Sequence, residues 1–138
     1  MFCSPYSDIC SGYSSYDGIA PFRWTPGNPL SFDISAPNEA YFAKVDSMVN
    51  LAAAHNIVLF LGPTETGGWM DIYRVNGAAK AFNFGVYLGN RYKAFPNIVW
   101  QHGGDFQTYK TASDDEIIRF RGARYCLRGI RITSRRSS

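Results

Sequence analysis

The sequence predicts an α/β fold in which parallel β-strands alternate with helices. Three helical patterns and two short apolar runs follow one another in the order helix, strand, helix, strand, helix, and a glycine-containing polar segment follows each apolar run. Strands that alternate with helices of this length are typical of parallel βαβ units with right-handed crossovers. Because two strands cannot close a sheet, we expect this unit to be part of something larger or to need a partner.

Composition limits the classes to which the protein can belong. A chain of 138 residues, 46% of them apolar, fits one globular domain with a modest core and excludes a disordered chain. No apolar run approaches the roughly 18 to 20 residues of a membrane helix. The first ten residues have neither a basic start nor an apolar core, so no secretory signal is visible, and the localisation stays open. The three cysteines, Cys3, Cys10 and Cys126, have no metal-site spacing, and we expect neither metal nor cofactor.

Charge is divided unevenly along the chain. Residues 119–138 contain seven of the fourteen basic residues, all arginine, and no acid, whereas residues 1–118 hold seven basic and eleven acidic groups. The net charges are therefore +7 and −4. A basic tail can bind nucleic acid or an acidic surface. This one lacks lysine and ends in serine, so a shifted reading frame or a wrongly extended gene model is the alternative. We therefore expect one domain over residues 1–118, followed by a tail at 119–138 that is disordered or out of frame.

Residues 1–37 predict a loop, because Tyr, Ser, Gly, Pro and Asp dominate them. A coil of this length in a compact domain usually indicates a functional loop or a missing partner. Asp17 and Asp33 are candidates to reach a site from it, although turn chemistry explains both equally well.

The first helix begins at Pro37-Asn38-Glu39, which supplies a breaker, a capping amide and an acid in the first turn. His55-Asn56 ends it, because Asn adopts the left-handed conformation readily. Asp46 falls on the polar side, where we expect it to be only solvated. Its apolar stripe consists of Phe42, Val45, Val49 and Ala52, widened by Tyr41 and Met48.

A first strand follows at Ile57–Leu61, whose unbroken apolar run is typical of a strand buried on both faces of a parallel sheet. Gly62-Pro63 ends the strand, and residues 64–71 predict a polar loop at its carboxyl end. A second helix is predicted from Gly77 to Phe95, with a stripe of Ala81, Phe84, Leu88 and Tyr92.

The second strand, Ile98–Trp100, begins after the helix-ending Pro96 and opens into Gln101, His102 and Asp105 around two glycines. A short apolar strand that ends in acid, imidazole and glycine is how an α/β barrel presents catalytic groups. A buried strand followed by a plain turn is the alternative. Beyond it, Ser113–Glu116 predicts the capping box of a third helix.

Four spaced stretches resemble the apiosidase-like glycoside hydrolases, of the family 140 type. They are residues 37–46, 65–69, 87–93 and 96–100 with Gly104-Asp105, and the likeness covers roughly residues 12–118. The resemblance implies a (β/α)₈ barrel that cuts O-glycosidic bonds of plant cell-wall type polysaccharide with a pair of carboxylates. Ile57–Leu61 would be its third strand and Ile98–Trp100 its fourth.

The resemblance implies that Asp105 is the general acid/base and that Glu65 binds substrate or orders its loop. The nucleophile of the family follows the seventh strand and has no counterpart in this chain. Because retaining glycosidases need two carboxyl groups about 5 Å apart, we expect an N-terminal-half fragment that is inactive alone. A loop aspartate that caps a turn is the alternative for Asp105.

Three further residues are candidates for substrate binding. His102 can bond sugar hydroxyls or tune Asp105, and a satisfied structural histidine is equally consistent with the sequence. Trp69 and Trp100 can each stack on a sugar ring, while Trp100 suits the barrel core equally well.

The sequence leaves two other functions open. One is a carbohydrate-binding remnant without catalysis, and the other is nucleic-acid binding through the arginine tail. The expected partner is a plant cell-wall type oligosaccharide, and we expect no membrane association. Open sheet edges predict self-association or aggregation.

Overall fold

The structure, a computed structural model, describes residues 17–63, 66–101 and 111–122. The elements in order are β1 (Phe22–Thr25), β2 (Asn28–Pro37), α1 (Glu39–Ala54), β3 (Leu59–Leu61), α2 (Thr66–Tyr92), β4 (Ile98–Trp100) and α3 (Ala112–Gly122). β1 and β2 form an antiparallel pair, and β3 and β4 form a parallel pair. The predicted α/β class and the parallel β3–α2–β4 unit are therefore confirmed. None of the described helices is long and apolar enough to cross a membrane.

The segment predicted as loop contains a β-hairpin from Phe22 to Pro37, so that prediction was wrong there. Pro26 and Gly27 form the turn, and the positive φ of Gly27, 84°, is the conformation that glycine allows. Phe32 and Ile34 point into the core while Asp33 between them does not. The hairpin has the composition of a loop because turn residues and the side chains of its polar face dominate it.

α1 follows the sequence prediction closely. The Asn38 side chain accepts a hydrogen bond from the amide of Ala40 at 3.1 Å, and it donates one to the Ala20 carbonyl at 2.9 Å. Asn56 has a φ of 56° just beyond the helix, as predicted. The buried stripe is Tyr41, Phe42, Val45, Val49 and Ala52. Met48 was expected in this stripe but is 51% exposed.

α2 is longer than predicted and broken. It begins at Thr66, and Gly77, the predicted start, is instead a non-helical break with φ 77° and ψ 169°. The expected polar loop through Asp71 is thus helical from Thr66 onward. Trp69, Ile72 and Tyr73 are buried at helical spacing, a signal that two glycines at the start of the segment obscured.

Among the described residues, β3 and β4 are covered on one face. Phe60 pairs with Val99 in the register, and the two side chains are 72% and 38% exposed. Their neighbours Leu59, Leu61 and Ile98 pack into the core on the opposite face. The expectation of burial on both faces was therefore wrong for the described part of the chain, because the helices cover a single face.

Aromatic rings join the hairpin to both long helices. The Phe22 ring lies 4.9 Å from that of Phe84 and 5.9 Å from that of Trp69, edge to face. Phe42 on α1 meets Phe84 at 6.2 Å. Edge-to-face ring pairs stabilise a fold by more than the burial of their surface area alone. This aromatic cluster is therefore the centre of the core.

α3 is attached to α2 by an ion pair in which the carboxylate is buried and the guanidinium is partly exposed. Arg74 donates two hydrogen bonds of 2.8 Å to the carboxylate of Asp114, which is 1% exposed. The cap of α3 is Thr111, whose hydroxyl accepts from the Asp114 amide at 3.1 Å. The predicted cap, Ser113, lies inside the helix instead.

Candidate active site

The carboxyl ends of β3 and β4 lie side by side. The amide of Gln101 donates to the carbonyl of Leu61 at 3.1 Å, which extends the parallel ladder one residue beyond β4. A Cβ placed on Gly62 would lie 3.9 Å from that of Gln101. The chain segments that follow the two strands therefore start at the same edge of the sheet.

This edge combines an apolar surface with a polar rim. Side chains alternate between the faces of a strand, so Gln101 shares the face of Val99, and its proximity to Gly62 agrees with that placement. Gln101 is exposed, as are Phe60 and Val99 below it. An apolar floor with a few polar groups at its margin is the usual character of a ligand site.

Behind the edge, on the helix side, lies a small apolar pocket. The first turns of α1, the last turns of α2 and the end of β3 at Leu61 and Pro63 line it. It has room for about one water molecule. It is a packing gap between helices and sheet and too small for a sugar.

Three of the predicted site residues, Glu65, His102 and Asp105, lie outside the described residues. The segments that carry them begin at Gly62 and Gln101, which are neighbours across the two strands. The roles of the three residues stay predictions.

The two tryptophans occupy packing positions. Trp69 is 1% exposed, with the rings of Phe32 and Phe22 at 5.3 and 5.9 Å. A sugar would reach its ring only if this cluster opened. Trp100 is half-buried on the helix side, 6.1 Å from the ring of Tyr92, which fits the core alternative. Sugar stacking by Trp69 or Trp100 stays a prediction that neither position favours.

A polar cluster between α1 and α2 was missed by the sequence analysis. Arg91 donates two hydrogen bonds to the carboxylate of Asp46, at 2.8 and 2.7 Å, and one to Glu39 at 2.6 Å. The hydroxyl of Tyr87 donates to Glu39 at 2.8 Å. The guanidinium also lies over the rings of Phe42 and Tyr87. Asp46, expected to be only solvated, is instead one half of a bidentate ion pair.

The electrostatics of this cluster exclude its acids as proton donors near neutral pH. Hydrogen bonds from Arg91 hold the pKa of Asp46 and that of Glu39 below their ordinary values, and Tyr87 adds to the effect at Glu39. A general acid of a glycosidase needs a raised pKa. Asp46 and Glu39 therefore do not suit the general-acid role, and their contacts join α1 to α2.

Two other acids singled out from the sequence, Asp17 and Asp33, are also paired. Asp33 accepts from Ser35, Lys80 and Arg23, and the hydrogen bond from the Ser35 hydroxyl is the largest cause of its strongly lowered pKa. Asp17 forms an ion pair with Lys44. Within the described ranges, no group of three His, Cys, Asp or Glu side chains could hold a metal ion.

A protein-family model matches most of the chain. The family described as Apiosidase-like, catalytic domain, matches residues 14–131. This range passes the predicted boundary at residue 118 and enters the arginine-rich segment, and α3 likewise continues to Gly122. The boundary at residue 118 and the origin of the basic tail stay predictions. No curated protein and no solved structure matches the chain.

Proposed function

The chain belongs to the apiosidase-like glycoside hydrolase family, and we propose that it carries the third and fourth strand–helix units of a (β/α)₈ barrel. The complete barrel would act on O-glycosides in plant cell-wall type polysaccharide. The parallel pairing of β3 with β4 across a helical connection, with both carboxyl ends at one edge, is the observation that carries this proposal. The uncovered face of Phe60 and Val99 corresponds to the interior of a closed barrel.

The chemistry is assigned to the segment after β4. In a complete barrel, Asp105, four residues beyond Gln101, would protonate the leaving oxygen of the glycosidic bond as general acid. Burial beneath a bound sugar and a neighbouring carboxylate would raise its pKa and keep it protonated. Glu65, after the adjacent strand, and His102 bind sugar hydroxyls.

We propose further that this chain binds carbohydrate without hydrolysing it. Double displacement needs a second carboxylate, and the described candidates are already engaged: Arg91 holds Asp46 and Glu39, and Arg74 holds Asp114. Moving any of these into a site would leave an uncompensated charge behind, which is costly.

Two assays on the purified 138-residue chain test this proposal. Incubation with pectic polysaccharide should release no new reducing ends, so wild type and Asp105→Asn should be indistinguishable. Electrophoresis through a gel containing the same polysaccharide should retard the wild-type protein relative to a gel without it.

The two assays test different parts of the proposal. Release of sugar by the wild type that Asp105→Asn abolishes would contradict the claim that the chain is inactive alone. Equal mobility in the two gels would contradict the assignment to carbohydrate.

A further inference from the structure

We propose that Asn76-Gly77 is a site of deamidation and that conversion of Asn76 to aspartate detaches the β1–β2 hairpin from α2. The sequence contains no other Asn-Gly pair. Because the proposal concerns a covalent change in the chain itself, it is independent of the proposed function.

The side chain of Asn76 joins the hairpin to α2. Its amide nitrogen donates to the carbonyl of Phe32 at 2.7 Å and to that of Ile72 at 2.8 Å, and its oxygen accepts from the amide of Ile34 at 3.2 Å. The Phe32 carbonyl and the Ile34 amide lie on the same edge of β2, since the backbone groups of a strand point alternately to its two edges. Asn76 therefore pairs with this edge much as a neighbouring strand would.

The backbone conformation requires glycine directly after Asn76. Gly77 has φ 77° and ψ 169°, a region that is essentially restricted to glycine. Steric crowding is not the reason, because an added Cβ would meet no atom beyond its chain neighbours within 4 Å. The contacts of Asn76 in turn require a primary amide, which supplies two donors and an acceptor. The fold itself therefore places an asparagine before a glycine.

Deamidation begins when the main-chain nitrogen of Gly77 attacks Cγ of Asn76. A C–N bond forms, the Cγ–Nδ2 bond breaks, and ammonia leaves with the proton that the Gly77 amide loses. Water then opens the succinimide ring at either carbonyl and yields aspartate or isoaspartate, without an oxidant or a reductant. Because glycine has no Cβ beside the attacking nitrogen, the attack is less hindered here than at the other asparagines of the chain.

The hydrogen bonds of Asn76 control when this attack can occur. Ring closure rotates the side chain, so the amide has to give up its bonds to Phe32 and Ile34 first. In the folded chain the reaction therefore proceeds through openings in which the hairpin and Asn76 come apart. Asn76 is only partly buried, so solvent water has access to the ring once such an opening has occurred.

Aspartate cannot restore the contact. An ionised carboxylate has acceptors only, so it can accept from the Ile34 amide but cannot donate to the carbonyls of Phe32 and Ile72. Those two oxygens would face a negative charge instead of a donor. Lys80, four residues further along the chain, is already bonded to Asp33 at 3.1 Å. Deamidation therefore loosens the hairpin, whose aromatic side chains form part of the core.

The first test follows the reaction in the full wild-type chain. The protein is kept in warm, mildly alkaline buffer, either folded or unfolded in urea, and peptide mass mapping detects the replacement of NH₂ by OH at each asparagine. Asn76 should convert in both samples, at least about tenfold more slowly in the folded chain. Asn83, which is exposed on α2 and precedes Phe84, is the internal control and should stay intact. Absence of conversion in the folded chain, or equal rates in the two samples, would overturn the proposal.

The second test measures what the modification does to the fold. Asn76→Asp reproduces one product and should lower the thermal unfolding midpoint by about 5 °C or more, because two carbonyls lose their donor. Asn83→Asp makes the same chemical change at an exposed position of α2 and should leave the midpoint unchanged. Equal midpoints for the two variants would overturn the claim that deamidation detaches the hairpin. If Asn76→Asp does not fold, amide hydrogen exchange of Ile34 in partly deamidated wild type serves instead: faster exchange supports the claim, and unchanged exchange overturns it.

Discussion

Arg91 on α2 donates two hydrogen bonds, of 2.8 and 2.7 Å, to the carboxylate of Asp46 on α1. Arg91 is 20% exposed and Asp46 34%, so water screens the pair only partly. Glu39 and Tyr87 complete the same cluster. All four residues lie in stretches 37–46 and 87–93, which carry the family resemblance. Those two stretches therefore contribute to helix packing, while the chemistry is assigned to the segments after β3 and β4.

Replacing Arg91 should destabilise the fold. Arg91→Met keeps much of the apolar stem but leaves Asp46 half-buried without its cation, which should cost about 2–3 kcal/mol in the free energy of unfolding. Urea denaturation measures it. The control is Arg119→Met, whose exposed partner Asp115 lies 3.7 Å away and whose loss should cost less than about 0.5 kcal/mol. Equal effects of the two substitutions would argue against the cluster as a structural clamp.

The same cluster predicts a pH dependence. The pKa of Asp46 and that of Glu39 are lowered from 3.8 and 4.5 by Arg91, so the unfolded chain takes up protons before the folded one. Their contribution to stability is complete above those values and is lost as pH falls through the lower pKa values of the folded state. Unfolding free energies measured from neutral to acidic pH should decline less steeply for Arg91→Met than for wild type. Parallel curves would refute this coupling.

Replacing Trp69 should lower the stability of the fold rather than directly weaken sugar binding. Trp69→Ala removes a ring that packs between Phe22 and Phe32, and it should cost about 3–5 kcal/mol. Trp69→Phe should keep most of the stability. If that variant folds with an unchanged oligosaccharide Kd, binding does not require the indole of Trp69. A large rise in Kd at full stability would restore the sugar-stacking prediction.

The uncovered face of β3 and β4 should drive self-association. Phe60→Lys places a charge on this face without touching the core, because the side chain is 72% exposed. Sedimentation velocity should show the wild type associating with rising concentration and the variant shifting towards monomer. A wild-type chain that stays monomeric would contradict this prediction.

Sequence-based predictions were correct where a single residue type favours a particular backbone conformation. Asn38 and Asn56 marked the ends of α1, and the apolar stripe identified its buried face. The hairpin was missed because its turn residues and polar face dominate its composition. The predictions for Met48 and Asp46 were wrong because periodicity identifies the apolar and polar faces of a helix. It does not show which side chains of α2 will contact them.

Pairing across elements was beyond the sequence. Nothing local links Arg91 to Asp46, 45 residues earlier, or Arg74 to Asp114, 40 residues later. The adjacency of Gly62 and Gln101 was foreseeable only in outline, since parallel strands place their carboxyl ends at one edge. The strand face on which Gln101 lies could be assigned only from the observed pairing of Phe60 with Val99.

The most direct measurement of the central claim is a map of where sugar binds. Pectic oligosaccharide is titrated into ¹⁵N-labelled protein, and the amide chemical-shift changes are assigned by residue. The largest changes should lie at Gly62, Gln101 and Asp105, with little change along the Asp46 side of α1. Changes confined to the arginine-rich residues 119–138, or to the hairpin turn at Gly27, would contradict a carbohydrate site at the carboxyl edge of β3 and β4.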